Sequence, residues 1–291
     1  MKRTNGEKVF SVINYAFMAL STVLCVAPLL YVLMASFISP DDYMAYGISF
    51  PRHISLYNYN YLLGGSSKVA RGLVINVYVT AVATAFNLIV TYAAAYVISK
   101  KYLPGRVALT FFMYFTMLFG GGLVPYYIWM SNIGMIDSLW SIILPGLVAP
   151  WNCFLIRNFL MTLPDSIEES ARIDGANDIV ILARIILPLS TPVIATIGLF
   201  YAVGHWNEWF GAMIFINDPS KFPLQLVLRL FLANNALPVS LSELNLRALV
   251  EAPTDILKMT AVVISIVPIL VVYPFVQKYF VKGIIAGSIK G

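Results

Sequence analysis

Eleven residues, Glu168-Glu169-Ser170-Ala171-Arg172-Ile173-Asp174-Gly175-Ala176-Asn177-Asp178, concentrate charge between two long apolar runs. Their chemistry suits docking and turning rather than bond making. Ser166 stands three residues ahead of Glu169, the spacing of a capping box. Asp165, Glu168 and Glu169 favour the positive end of a helix dipole. Gly175 can supply the left-handed geometry that ends a helix, and Asp178 can cap a second one leading into Ile185-Ile186-Leu187-Pro188. The spacing therefore predicts a short helix, a sharp turn, and a helix that enters the next apolar run. So short a helix is marginal alone in water, and a partner surface is expected to hold it. A solvated linker would explain the charges, but not the cap, the glycine and the proline together.

Two further groups of polar residues lie within apolar surroundings. In His205-Trp206-Asn207-Glu208-Trp209-Phe210, an indole can lie against an apolar C–H face while Asn and Glu bond hydroxyls. Helix packing and anchoring at a membrane interface compete for the same residues. On a helix, Tyr201, His205 and Glu208 fall near one face with Trp209 beside them, while Asn207 points elsewhere and can tie helices together. The second group is the stripe Asn76, Thr80, Thr84, Asn87 and Thr91, whose steps of three and four keep it on one helical face. That face should turn toward other helices or toward a wet solute path. His53 and His205 are the only histidines, and neither metal-ligand spacing such as HExxH nor a GxxxxGK[ST] phosphate loop occurs. No metal centre, no cofactor and no ATP hydrolysis are expected of this chain.

The elements that must position these residues follow from composition. The chain is 59% hydrophobic and 11% charged, against about 25% charged for a soluble domain. Residues 9–40, 72–99, 107–136, 138–156, 185–207 and 259–277 contain no Asp, Glu, Lys or Arg. A spanning helix needs roughly 20 apolar residues, so six transmembrane helices are predicted in an all-α integral membrane protein. They are placed near 12–37, 73–98, 107 onward, 139–160, 187–209 and 259–280. Gly120, Gly121, Gly122 and Pro125 should weaken or break the third, either beside a cavity or at an exit turn near the outer surface.

The formal charge of +5 reports orientation. Lys2, Arg3, Lys8, Lys100, Lys101, Arg106, Arg157, Arg172, Arg184, Lys278, Lys282 and Lys290 fall in short segments on one side of the predicted spans. By the positive-inside rule that side, with both termini, is cytoplasmic. The surplus is not a nucleic-acid footprint. The first span is too long for a signal core and reads as a retained anchor. Cys25 and Cys153 lie within spans and read as packing residues. Residues 1–70 form an anchor and first outer loop, 71–282 a five-helix core with a cytoplasmic loop at 161–187, and 283–291 a tail. The outer loop YNYNYLLGGSS suits an interface, and FPLQLVLRLFL, within the outer stretch 211–258, is amphipathic.

Glu169-Ser170-Ala171, Gly175 and Ile185-Ile186-Leu187-Pro188 resemble the EAA loop, E-A-A-x3-G-x9-I-x-L-P, of binding-protein-dependent ABC importer permeases, with Ser170 in place of the middle Ala. GGGLVPYY, LPGLVAPWNCFLIRNF, VGHWNEWF and VKGIIAGSIKG extend the resemblance to maltose-type carbohydrate permeases over nearly the whole chain. The subgroup is the one linked to oligosaccharides and to fragments of plant or algal polysaccharides. The resemblance implies a type I ABC importer permease fold in the bacterial cytoplasmic membrane. It implies a coupling helix seated in an ATPase groove, with Ser166, Glu168, Glu169, Ser170, Ala171, Arg172, Asp174, Gly175, Ala176 and Pro188 at or near that contact. The implied partners are a second related permease, two cytoplasmic ATPase subunits and an extracytoplasmic sugar-binding protein docking at 211–258, with GSIKG approaching the ATPases. The candidate path comprises Asn76, Thr80, Asn87, Tyr201, His205, Trp206, Asn207, Glu208 and Trp209. A peptide or amino-acid permease shares this loop logic. A secondary carrier would want ionisable residues within the membrane, where only Glu208 comes close. A membrane enzyme lacks a catalytic constellation.

Overall fold

A computed structural model describes residues 5–64, 67–234 and 253–288, and among these every regular element is helical. In chain order they are α1 (Asn5–Ala35), α2 (Pro40–Tyr46), α3 (Tyr57–Leu63), α4 (Lys68–Ser99), α5 (Arg106–Leu118), α6 (Leu123–Asn132), α7 (Trp140–Ile143) and α8 (Pro150–Leu160). There follow α9 (Asp165–Ile173), α10 (Asp178–Leu189), α11 (Thr191–Trp206), α12 (Phe210–Phe215), α13 (Leu224–Asn234) and α14 (Thr254–Ser288). Segments of α1, α4 and α14 are each long and apolar enough to cross a bilayer. Two bent pairs, α5 with α6 at 115° and α10 with α11 at 84°, pass the same test when each pair is taken as one span. The chain is a multi-pass membrane protein.

The bends have local causes. Gly122 adopts φ +83° between α5 and α6, a left-handed angle that only glycine takes without strain. Pro125 falls in the first turn of α6, where its missing N–H costs nothing. Between α10 and α11, Pro188 removes a helical hydrogen bond, the preceding turn widens over Ile181–Ile186, and the chain kinks at Ser190.

The fourth predicted span differs from its expectation. A continuous helix over 139–160 does not form: α7 stops at Ile143 and α8 begins at Pro150. Pro145 and Gly146 cannot propagate α7, and Pro150 is favourable only as a helix start. Hydropathy alone did not register the break, because the intervening residues are apolar.

The chain divides into two compact units, residues 1–70 with 230–267 and residues 71–229 with 268–291. In the first, Ala35, Ile38 and Ile256 pack with Tyr43, Ile48 and Met259. Asn58, in the stretch expected to lie at an interface, is instead buried at the end of α1. Its Nδ2 donates to the Ser36 and Ile38 carbonyls at 3.2 and 2.9 Å, holding the chain where it leaves α1. In the second unit, Tyr92, Ala95, Ile98, Cys153, Ile156, Ala171, Ile181, Ile197 and Tyr201 share one core. Both cysteines are free thiols, Cys153 buried and Cys25 exposed. The amphipathic FPLQLVLRLFL forms most of α13 and buries Leu224, Leu226, Val227, Leu228 and Phe231. The middle of the expected docking stretch, 235–252, and the last residues of GSIKG lie outside the described residues.

Candidate functional site

The charged loop folds into a hook. Helix α9 starts two residues before the position the capping box predicts, with Pro164 at its cap and no side chain closing its first amides. Ser166 therefore lies inside the first turn, and the expected capping box with Glu169 does not form. At the other end Gly175 takes φ +82°. Its amide donates to the Arg172 carbonyl at 3.0 Å, and that of Ala176 to the Ala171 carbonyl at 2.9 Å, the paired bonds of a Schellman turn. The second helix is capped by Asn177, whose side chain accepts from the Val180 amide at 2.9 Å, and not by Asp178 as expected. Asp178 is free to receive Arg172 Nη2 at 2.6 Å, across the turn.

The segment 100–102 holds the hook in place. Lys100 pairs with Glu168, the two side chains only 14% and 19% exposed, and its ammonium lies 4.0 Å from the Tyr96 ring centre. Arg172 Nη2 also donates to the Tyr102 hydroxyl at 2.9 Å. The Lys101–Asp165 contact at 3.5 Å is exposed at both ends and contributes little. Ala171 turns into the core, while Ser166, Glu169, Ser170, Arg172, Asp174 and Gly175 face outward. Two apolar residues that the sequence analysis passed over flank the turn: Ile173 is 86% exposed and Ile179 75%. An isoleucine on each side of a polar glycine turn was the signal available for them. Pro188 sits at the far end of α10, where it bends the chain rather than joining the hook's surface.

The polar stripe of α4 meets the broken fourth span. Asn87 Nδ2 donates to the Gly146 carbonyl, and Thr91 Oγ1 to that of Leu147 at 3.1 Å. The Ala149 amide donates to the Tyr201 hydroxyl at 3.0 Å, and that hydroxyl bonds Thr91 Oγ1 at 2.7 Å. His205 Nε2 lies 2.8 Å from Asn87 Oδ1. Backbone groups of 144–149 that no helix satisfies thus find partners on α4 and α11, as unwound backbone at membrane depth requires. Asn76 Nδ2 serves the end of α11 through the Trp206 carbonyl at 3.2 Å.

Asn87, Tyr201 and His205 are therefore one cluster. Thr80 and Trp206 line a separate apolar cavity of about 380 Å³ between α4, α11 and α14. Glu208 does not continue the Tyr201–His205 face: α11 ends at Trp206, so helical phase does not reach it. Its Oε1 accepts from the Gly211 amide at 2.6 Å. Exposed Asn207 donates to the Val203 carbonyl of its own helix at 2.8 Å. The Arg229 guanidinium covers the Trp209 ring at 3.7 Å.

A clamp unseen in the sequence joins residue 137 to 217–221. Asp137 Oδ1 accepts from the Asn217 and Asp218 amides at 3.1 and 2.9 Å, and Lys221 Nζ donates to Oδ2 at 2.7 Å. The hydrogen bond from Lys221, aided by the two amides, holds the Asp137 carboxyl below the usual carboxylate range. Asp137 has φ +58°, a conformation Asp tolerates better than most residues. The bonds themselves form between residues far apart in the chain, which explains why no local pattern announced them.

The described helices thus combine bent and broken spans, tied together through buried polar groups, with a charged hook between two of them. Residues 2–286 match the family described as the binding-protein-dependent transport system inner membrane component, and the chain belongs to that family. It is 37% identical to the polygalacturonan/rhamnogalacturonan transport system permease protein YtcP of Bacillus subtilis (strain 168), over 98% of this chain and 99% of that one. It is 30% identical to the galactooligosaccharides transport system permease protein GanQ of the same organism, over 97% and 95% of the two chains. Among solved structures, it resembles a chain of a bacterial ABC transporter involved in the import of the acidic polysaccharide alginate. The TM-score is 0.88 at 28% identity, covering 96% of this chain and 99% of that chain.

Proposed function

We propose that this chain is a permease subunit of an ATP-driven, binding-protein-dependent importer of carbohydrates, taking oligosaccharide fragments of plant or algal polysaccharides. The observation that carries the mechanism is the hook: a short helix closed by Gly175 at φ +82° and pinned to the end of α4 by Lys100–Glu168. A rigid element with an outward face of Glu169, Ser170, Ile173 and Ile179 can take a push from a moving ATPase and pass it to the spans. The two exposed isoleucines supply the apolar centre of such a contact, and the charges around them its polar rim. In this reading six spans place both termini and the hook in the cytoplasm of a bacterium, and a second related permease completes the path. Two ATPase subunits grip the hooks from inside. A cargo-loaded binding protein engages 211–258 from outside, favouring the outward-open state through contacts it makes only there. The names of the carbohydrate-transporting relatives, which match along nearly the full chain, favour a sugar cargo over a peptide or an amino acid.

The test is uptake by proteoliposomes carrying this chain with its co-expressed permease, ATPase and binding protein. Oligogalacturonides should enter only with ATP inside the ATPase compartment and only with the binding protein opposite. Uptake driven by an ion gradient through this chain alone would refute the proposal, as would transport of peptides in place of sugars. Single cysteines at positions 172 and 218 should react with impermeant reagent from the cytoplasm and from outside, respectively.

A further inference from the structure

Arg106 opens α5 and Arg157 lies in the last turn of α8. Both direct their Nε–H groups at one acceptor, the Ile98 carbonyl, at 3.0 and 3.3 Å. Arg106 Nη2 also touches Met161 Sδ at 3.8 Å. Neither arginine takes part in an ion pair among the described residues. Two guanidiniums sharing one neutral acceptor repel each other, and both retain N–H groups with nothing negative to receive them. They stand at one end of an open groove of about 670 Å³, also lined by Val107, Thr110, Phe111, Tyr114 and Phe154. Val107 and Phe111 are 83% and 66% exposed, so this trough presents apolar surface to its surroundings. Arg106 directly follows the polar turn carrying Lys100 and Lys101, which places the two cations where the spans leave hydrocarbon for water.

Paired cations above an apolar trough match one chemistry: a phosphate joined to an acyl chain. Guanidinium is the side chain best shaped to grip phosphate oxygens, and basic pockets between spanning helices recruit acidic lipid headgroups. We propose that Arg106 and Arg157, with the groove between α5 and α8, form a binding site for an anionic phospholipid. The phosphate bridges the two guanidiniums, removing their repulsion, and an acyl chain lies along Phe111, Tyr114 and Phe154. The choice of a lipid over a carboxylate from a partner protein rests on the groove, since an ion pair alone would need no apolar trough. The site is independent of the transported solute and requires only that α5 and α8 lie in a membrane.

The test uses the whole transporter, purified through a tag on this chain into phosphatidylcholine nanodiscs containing graded phosphatidylglycerol, with retained lipid counted by native mass spectrometry. The wild-type complex should retain phosphatidylglycerol selectively. Arg106→Gln with Arg157→Gln should weaken retention about 25-fold, roughly fivefold for each charge removed near the membrane surface. Arg106→Lys with Arg157→Lys should keep most of it, and Thr110→Trp, which fills the groove beneath intact arginines, should lose it. Equal retention by the wild type and the double Gln variant would overturn the proposal, as would indifference to Thr110→Trp. Loss of the second permease subunit from the double Gln variant with lipid still bound would assign the groove to a protein contact, and would overturn it equally.

Discussion

Gly175 offers a clean test of whether hook geometry governs coupling. A Cβ built there meets no atom within 4 Å, so substitution brings no clash within the chain, and the cost is conformational alone. The residue sits at φ +82°, where a side chain strains the backbone whatever the space around it. Gly175→Ala should weaken closure of the turn by about 1–2 kcal/mol, a roughly 5–30-fold shift toward a misdirected hook. Gly175→Val adds a branched Cβ in the same region and should approach about 3 kcal/mol. Gly175→Asn should be nearly neutral, because Asn visits left-handed angles readily. The turn itself is closed by two backbone bonds, braced by the Arg172–Asp178 pair and the contacts to 100–102, so losses of this size should weigh on its working conformation. ATP-dependent uptake and the amount of ATPase copurifying per permease should fall in the order Gly, Asn, Ala, Val, while the amount of chain inserted in the membrane stays constant. If Asn fails as completely as Val, contact volume against the partner matters and backbone geometry does not. If Val transports normally, the hook does not transmit force at all.

Lys100→Met should strand Glu168, which is mostly shielded from water, and cost about 1–3 kcal/mol after allowance for partial exposure. The double variant Lys100→Met/Glu168→Leu should recover part of the lost thermal stability but not ATPase docking. Asn87→Ala leaves the Gly146 carbonyl without its donor, and Tyr201→Phe removes the acceptor of the Ala149 amide; each should lower stability by about 1–3 kcal/mol in thermal melts of the detergent-solubilised protein, with the double variant less than additive. The Asp137 clamp should be acid-sensitive. Because its folded carboxyl lies below the ordinary value near 4, its contribution is complete above that value and disappears as pH falls through the depressed one. Corrected for the intrinsic pH dependence of amide exchange, protection at 215–221 should therefore fall as the pH drops below about 4, and Asp137→Asn should flatten that dependence.

The hook was legible because its signals are local. Charge placement, one glycine and one proline act within a dozen residues of themselves, and they suffice to fix helix, turn and helix. The register was not legible at the same resolution. Pro164 and Ser166 both suit a helix start, and sequence alone could not show that Pro164 would take the cap. Asn177 and Asp178 posed the same choice, settled by the ion pair that Asp178 makes across the turn with Arg172. Span count suffered from the opposite problem. Apolar composition shows that a segment belongs in a membrane, but says nothing about whether its backbone runs straight, and α5–α6 and α7–α8 both depart from a straight helix.

The stripe on α4 shows how that ambiguity can be narrowed. A polar residue in a span either ties protein together or lines a path, and spacing serves both equally. What separates them is demand elsewhere: Pro145, Gly146 and Pro150 interrupt a span, and the interruption exposes carbonyls and an amide that need partners in the membrane. Asn87, Thr91 and Tyr201 answer that demand, with His205 held on Asn87, so their polar groups are committed to the fold. The hydroxyls of Thr80 and Thr84, on the same face, are buried with no partner. Buried hydroxyls cost free energy unless something bonds them in at least one working state. The stripe is therefore divided: Asn87 and Thr91 serve the broken span, while the Thr80 and Thr84 hydroxyls and Asn76 Oδ1 are hydrogen-bonding groups that the fold does not claim.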